Sequence, residues 1–444
     1  MSAFSQSPGL RRAFKLLYLE GAFAIMYDTW VGPTYLSGLA GELGVSVLWV
    51  SVISSAAWIG AVGQLFGAWA FERADSYRSY TVKASLAARA FWLYPLIYAA
   101  WCGWNALHGG PAFPVHRWFA VVAITSCFSA VFASSSGVAW NSWVRALVPQ
   151  AIRGRFFGSR HRVVMGALTA AHLVALACVD WRPLGIPAGY AVLGIAGVLC
   201  AAASTWLLGH VPEAEVSEKD ARRARGRDWL EPLRDERFRN VVIFGAAFHG
   251  AVQLASPYFP YWFTKELGIP MSHVAYWLAL TNLGCMLAAP FWGKLVDRRG
   301  DSRQTLRLTG TLVALSPLFY FSTFGMGARW VELIAPFDYF SNGIIWVGYQ
   351  LAMTTLLFRS VPNRRAAYCF SLYSAACGVS GAACSLIGGR LALWLAPWGG
   401  FQALWVIATT LRLVSIWGLF PLLYSNKKRQ GESERGELLA EYAS

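Results

Sequence analysis

The sequence predicts an all-α polytopic membrane protein, with twelve transmembrane helices in two pseudo-symmetric six-helix halves. Three observations carry this. Of 444 residues, 56% are hydrophobic and only 14% charged, which argues against a soluble chain of this length. Apolar runs able to cross a bilayer, at about 20 residues each, recur from end to end. Cationic residues also gather on alternate connections. Roughly 31 of the 38 Lys and Arg fall in the N-terminus, the C-terminal tail and every second loop. The opposite loops hold little beyond Arg117, Arg182, Lys265 and Arg329. That asymmetry places both termini in the cytoplasm, with the lipid bilayer as the first partner.

The spans are expected near residues 14–38, 47–71, 81–104, 118–142, 163–181 and 187–210, then 240–264, 271–296, 305–325, 330–356, 366–395 and 402–424. The first follows basic residues but carries Glu20 and Asp28 and lacks a small-residue cleavage site, so it reads as a membrane helix and not a removable signal. The chain divides into an N-terminal half (1–210), a cytoplasmic linker (211–239), a C-terminal half (240–424) and a cytoplasmic tail (425–444). The linker holds eight basic and eight acidic residues, the mark of a solvated connection.

Several classes of function are excluded. The net charge of +15 follows the loop asymmetry, so no nucleic-acid partner is implied. The eight cysteines lie mostly in apolar helices and form no C-x-x-C pair, so neither a disulfide framework nor a metal site is supported. There is no phosphate loop and no H-E-x-x-H, so the chain reads as neither ATP-driven nor an enzyme, and no cofactor is expected.

An internal repeat links the halves. At an offset of 224, Gly21 matches Gly245, Pro33 matches Pro257, and Glu42-Leu43-Gly44 matches Glu266-Leu267-Gly268. At 225, Glu72-Arg73 matches Asp297-Arg298, and at 213, Val148-Pro149 matches Val361-Pro362. Two parallel six-helix repeats about an axis along the membrane normal are one known transporter architecture.

Three stretches carry a family resemblance. One is Gly293-Lys-Leu-Val-Asp297-Arg298-Arg299-Gly300 with Arg303 beyond it; the second is Val148-Pro149 through Arg153, Arg155 and Arg160; the third is Pro232-Leu-Arg-Asp-Glu-Arg-Phe238. With twelve spans, the chain resembles the major facilitator superfamily of secondary transporters. The resemblance implies that Asp297 faces the start of the fifth helix and Glu72 that of the eleventh, closing the cytoplasmic side. The gating set is then Gly293, Asp297, Arg298, Gly300, Arg303, Glu72, Arg73, Arg153 and Arg155. The first-half copy of the signature departs from the pattern, with Ala68, Glu72 and Asp75 at its key positions.

The resemblance also implies a central cavity lined by helices one, four, seven and ten. An ionisable side chain inside the bilayer costs at least about 2.5–3.5 kcal/mol, so each is a functional candidate. Asp28 stands on a small-residue face of helix one and suits either a proton carrier or the counter-charge of a cationic substrate. Glu20 lies nearer the inner end, Asn141 ends the serine-rich fourth helix, His249 and Gln253 share a face of helix seven, and Asp338, Asn342 and Trp346 recur on helix ten. Trp58, Trp346 and Tyr349 could stack on a ring. Arg89 and Arg412 belong to peripheral helices and are expected to pair locally or to reach a buried acid such as Glu20 or Asp338. The expectation is a monomeric secondary active transporter of a small organic solute, coupled to protons or sodium. The alternative is a receptor or membrane assembly factor on the same fold.

Overall fold

The computed structural model describes all residues except 1–7, 72, 73, 75, 150, 151, 184–186, 214–230, 300, 301, 322–324, 362–365 and 424–444. Among the described residues the chain is helical and no strand occurs. Eight helices are long and apolar enough to cross a bilayer on those grounds alone: the second, fourth to eighth, eleventh and twelfth spans. The first, third, ninth and tenth complete the twelve. The tenth is a single helix, Ala328–Ser360, that contains Asp338. The other three are broken into two pieces by a turn.

The breaks repeat between the halves. The first span runs Pro8–Trp30 and resumes at Pro33–Glu42, and the seventh runs Glu236–Gln253 and resumes at Phe259–Lys265. Pro33 and Pro257 sit at the equivalent points; each lacks an N–H and crowds the carbonyl four residues back, which favours a break there. The third span breaks between Tyr77–Ala90 and Leu93–Leu107, the ninth between Ser302–Leu315 and Leu318–Phe321. Two of the six pairs thus keep their discontinuity in register with the sequence repeat.

Helix ends differ from the sequence expectation mainly by extension. The fifth span begins at Arg153, not near 163, so the basic turn forms its first helical turns. The lead-in to the seventh span is a short 3-10 turn, Glu231–Arg234, after which Asp235 caps the helix by accepting from the Phe238 N–H at 2.9 Å. The linker expected over 211–239 lies outside the described residues from 214 to 230, as does the tail from 424 onward.

Helices meet through small residues, as membrane packing requires when lipid is as apolar as leucine. Gly60, Gly63 and Gly67 of the second span lie against Ala130, Val131 and Ser135 of the fourth, so closely that an added methyl would collide with that helix's backbone. Large apolar side chains such as Leu199, Trp206, Phe291, Phe337 and Trp417 point outward and are exposed. On a soluble protein that surface would aggregate; in a bilayer it is the lipid-facing wall.

The halves are pinned together at the end opposite the termini. Ser37 Oγ donates to the Pro257 carbonyl (2.9 Å), Tyr261 Oη to Val45 (2.7 Å) and Thr264 Oγ1 to Gly38 (3.1 Å). The Tyr258 hydroxyl bridges Ser51 Oγ and the Ser385 carbonyl, joining spans seven, two and eleven. Asp180, at the end of the fifth span, accepts from the Ser272 N–H at 3.4 Å, on the N-terminus of the eighth.

Candidate functional site

Asp28 ends the last full turn before the break in the first span. Its side chain is accessible while charged groups of the same half bear on it, which fits a place on the wall of the central opening that the sequence leads one to expect. Its carboxylate makes no hydrogen bond to protein among the described residues. Arg89 and Glu20 both act on it electrostatically.

Around Asp28 the first half has built a polar network. Glu20 is buried and forms an ion pair with Arg160 of the fifth span at 3.2 Å. The Arg160 guanidinium also lies 4.4 Å over the Trp140 ring. Arg89 of the third span donates to Ser204 Oγ at 2.9 Å and to Thr205 Oγ1. Ser204 Oγ in turn donates to Glu20 at 3.3 Å. Two acids and two guanidiniums therefore share one enclosed region, with Asp28 the member that lacks a direct partner. Ser204 thus joins Arg89 to Glu20. Arg160, placed in the basic turn by sequence, is the partner that sequence reasoning missed; it lies 140 residues from Glu20 and no spacing rule joins them.

In the second half, His249 and Gln253 lie in the last turns before the matching break in the seventh span. His249 Nδ1 lies 2.9 Å from the Gly245 carbonyl, which can only accept, so the proton sits on Nδ1 and Nε2 is the free nitrogen of the neutral ring. Nε2 and the Gln253 amide have no protein partner among the described residues, and both side chains are only partly buried. Trp58 crosses from the second span and meets the His249 ring edge-on at 6.0 Å. Behind them, Tyr349 packs 6.3 Å from His249, and Trp346 5.6 Å from Tyr349.

Asp338 and Asn342 are placed differently. Asp338 is 2% exposed and accepts from Tyr320 Oη and Asn342 Nδ2, each at 2.7 Å. Tyr320 comes from the ninth span, within an aromatic cluster of Phe259, Phe263 and Trp405. Asp338 thus points into the packing between spans nine and ten, not into the opening expected from sequence. Asn141 is exposed, and its amide is taken by the Gly137 carbonyl of its own helix at 2.9 Å. Arg412 is fully buried and reaches no acid among the described residues; it donates to the Val313 and Val252 carbonyls and to Ser256 Oγ, at 3.1–3.2 Å. Those carbonyls lie at the breaks of the ninth and seventh spans. His172 hydrogen-bonds Tyr35 Oη at 2.9 Å inside the first half.

Of the gating residues, Glu72, Arg73 and Gly300 lie outside the described residues, as do the side chains of Asp297, Arg298 and Arg153. Gly293 continues the eighth helix, Arg303 stands in the first turn of the ninth span, and Arg155 is exposed in the first turn of the fifth.

Comparison with known proteins settles the class. The model of the Major Facilitator Superfamily matches residues 18–385. The chain belongs to that superfamily, and it is an integral, multi-pass membrane protein with a transporter fold. Among solved structures, a mutant of the nucleoside transporter NupG superposes with a TM-score of 0.70 at 12% identity, covering 92% of this chain and 99% of that one. A D-xylose-proton symporter gives 0.68 at 12% identity, over 93% and 97%. A bacterial homologue of the iron transporter ferroportin gives 0.62 at 15% identity, over 94% and 100%. These likenesses define the fold alone. No curated protein matches the sequence.

Proposed function

We propose that this protein is a proton-coupled secondary transporter of a small organic solute, working by alternating access with both termini in the cytoplasm. The observation that carries the reading is Asp28: a carboxylate inside the bundle, accessible, with no hydrogen-bond partner and in the field of Arg89 and Glu20. With Asp28 ionised, the charges of Glu20, Asp28, Arg89 and Arg160 cancel. A proton on Asp28 leaves one positive charge uncompensated in a low-dielectric region, which is costly. Protonation therefore changes which packing of the first half is favoured, and that is what links a proton to the opening of one face or the other.

The division into two moving halves, 1–210 and 240–424, belongs to this proposal. So does a latch on the cytoplasmic side built from Glu72, Arg73, Arg153, Arg155, Gly293, Asp297, Arg298, Gly300 and Arg303. The bonds from Ser37, Tyr258, Tyr261, Thr264 and Asp180 would be the opposing seal, broken when the outer face opens. Single hydrogen bonds suit this, since each is worth about 0.6 kcal/mol on average in a membrane bundle.

Two of the similar folds bear names that state a nucleoside and a D-xylose substrate, so uridine and D-xylose are the first probes. Proteoliposomes given an inward proton gradient should accumulate a transported probe, and dissipating the gradient with an ionophore should abolish accumulation. Accumulation that follows a sodium gradient and ignores the proton gradient would refute the proton assignment.

A further inference from the structure

We propose that the solute is uncharged and ring-bearing, and that the second half reads it through His249 Nε2 and the Gln253 amide, with the Trp58 indole against the ring. This rests on the transport reading above and narrows it to a substrate class. Three independent features of the opening lead there.

The first is hydrogen-bonding capacity. His249 has its Nδ1 proton committed to the Gly245 carbonyl at 2.9 Å, which fixes the ring on its own helix and leaves Nε2 as an acceptor. Gln253, four residues on, lies on the same face one turn nearer the break, and its amide can both donate and accept. Each lacks a protein partner among the described residues. Together they offer two acceptors and a donor to a solute carrying O–H and N–H groups.

The second is a ring surface placed from the other half. Trp58 leans on the eleventh span where two glycines make room. A methyl group at Gly381 would stand 2.9 Å from the indole, and one at Gly378 would stand 2.6 Å from the Trp58 carbonyl. The indole thereby reaches the edge of His249 while staying partly accessible. An indole face beside two polar groups is the arrangement that holds a ring with a polar rim.

The third is charge. The rings packed around His249 are Trp58, Phe248 and Tyr349, and Tyr373 of the eleventh span stands against Gly245 one turn away. None is an acid or a base of fixed charge. On the first-half side, Glu20 and Asp28 are balanced by Arg89 and Arg160. While Asp28 is ionised, a cation or an anion entering here finds no surplus opposite charge, and an unpaired ion in such a medium is strongly disfavoured. A neutral solute incurs no such cost.

The test is counterflow exchange in proteoliposomes, which needs no gradient, with a panel of uridine and D-xylose (neutral rings), tetraethylammonium (cation), benzoate (anion) and glycylglycine (zwitterion). The expected result is exchange of a neutral ring-bearing probe and of none of the ions. His249→Ala and Gln253→Ala should each raise the half-saturation concentration by about tenfold, the size of one lost hydrogen bond to a polar partner. The maximal rate should change less. His249→Gln, which restores an acceptor, should recover part of the loss, an outcome that a merely structural histidine would not give. Exchange of an ion with none of a neutral ring overturns the inference and leaves transport standing. So does half-saturation that is unmoved in His249→Ala. A folded protein that exchanges nothing on the panel counts against the transport reading and the inference with it.

Discussion

The two halves hold one deeply placed aspartate each, and they treat it in opposite ways. Asp338 is closed off by Tyr320 and Asn342, both at 2.7 Å, with an aromatic cluster behind the tyrosine. Asp28 has no such donors and is accessible from an opening, with Arg89 and Glu20 in electrostatic reach. The arginines divide in the same way. Arg89 sits among hydroxyls that lead to an acid, while Arg412 reaches only carbonyls and a serine at the breaks of its half. A carboxylate held by neutral donors can serve packing; one whose partners are other charges, and which water can reach, can change its proton and be noticed. The duplicated fold has kept its discontinuities in both copies and put the variable charge in one.

The largest expected effect follows from that difference. Asp28→Asn should abolish accumulation driven by a proton gradient while the protein still folds, and Asp338→Asn should not; uptake in matched proteoliposomes compares them. If the second substitution removed coupling and the first did not, the roles assigned to the halves would be reversed.

Next comes Arg412. Arg412→Met removes the donors to Val252, Val313 and Ser256 and should lower stability by about 1–3 kcal/mol, with Arg412→Lys losing less. Thermal unfolding in detergent measures it. Tyr320→Phe should cost about 1 kcal/mol through the lost bond to Asp338, and a double-mutant cycle with Asp338→Asn should show the two effects to be coupled. The smallest effect belongs to the seal. Asp180→Asn weakens a carboxylate on the N-terminus of the eighth span by about 0.3–1 kcal/mol. It should raise labelling of a cysteine placed at Ser37 by a membrane-impermeant reagent. An unchanged labelling rate would show that Asp180 takes no part in closure.

Much of the fold was legible because a membrane simplifies the reading. Apolar length, loop charge and the repeat at 224 located the spans and paired Pro33 with Pro257, but the first and seventh spans were expected to be continuous and the breaks there were not foreseen. The basic turn at Arg153 was less clear, since a short cationic stretch can be loop or first helical turn and only the neighbouring helix decides. At the candidate site, periodicity found the faces that carry Asp28, His249 and Gln253. It could not say that Asp338 turns toward Tyr320, because the tenth span is packed on several sides and polarity alone does not rank its neighbours. Nor could it pair Arg160 with Glu20 or place Asp180 on the eighth span. Those contacts join helices far apart in sequence, and nothing local in either partner announces the other.

The most direct measurement of the central claim is proton movement itself. Proteoliposomes loaded with the pH dye pyranine, held at zero gradient and given uridine or D-xylose, should acidify inside as the solute enters through the wild-type protein. Asp28→Asn should exchange the same solute in counterflow with no change in dye signal. Acidification by that variant at the wild-type rate would contradict the account, because the proton would then be carried elsewhere.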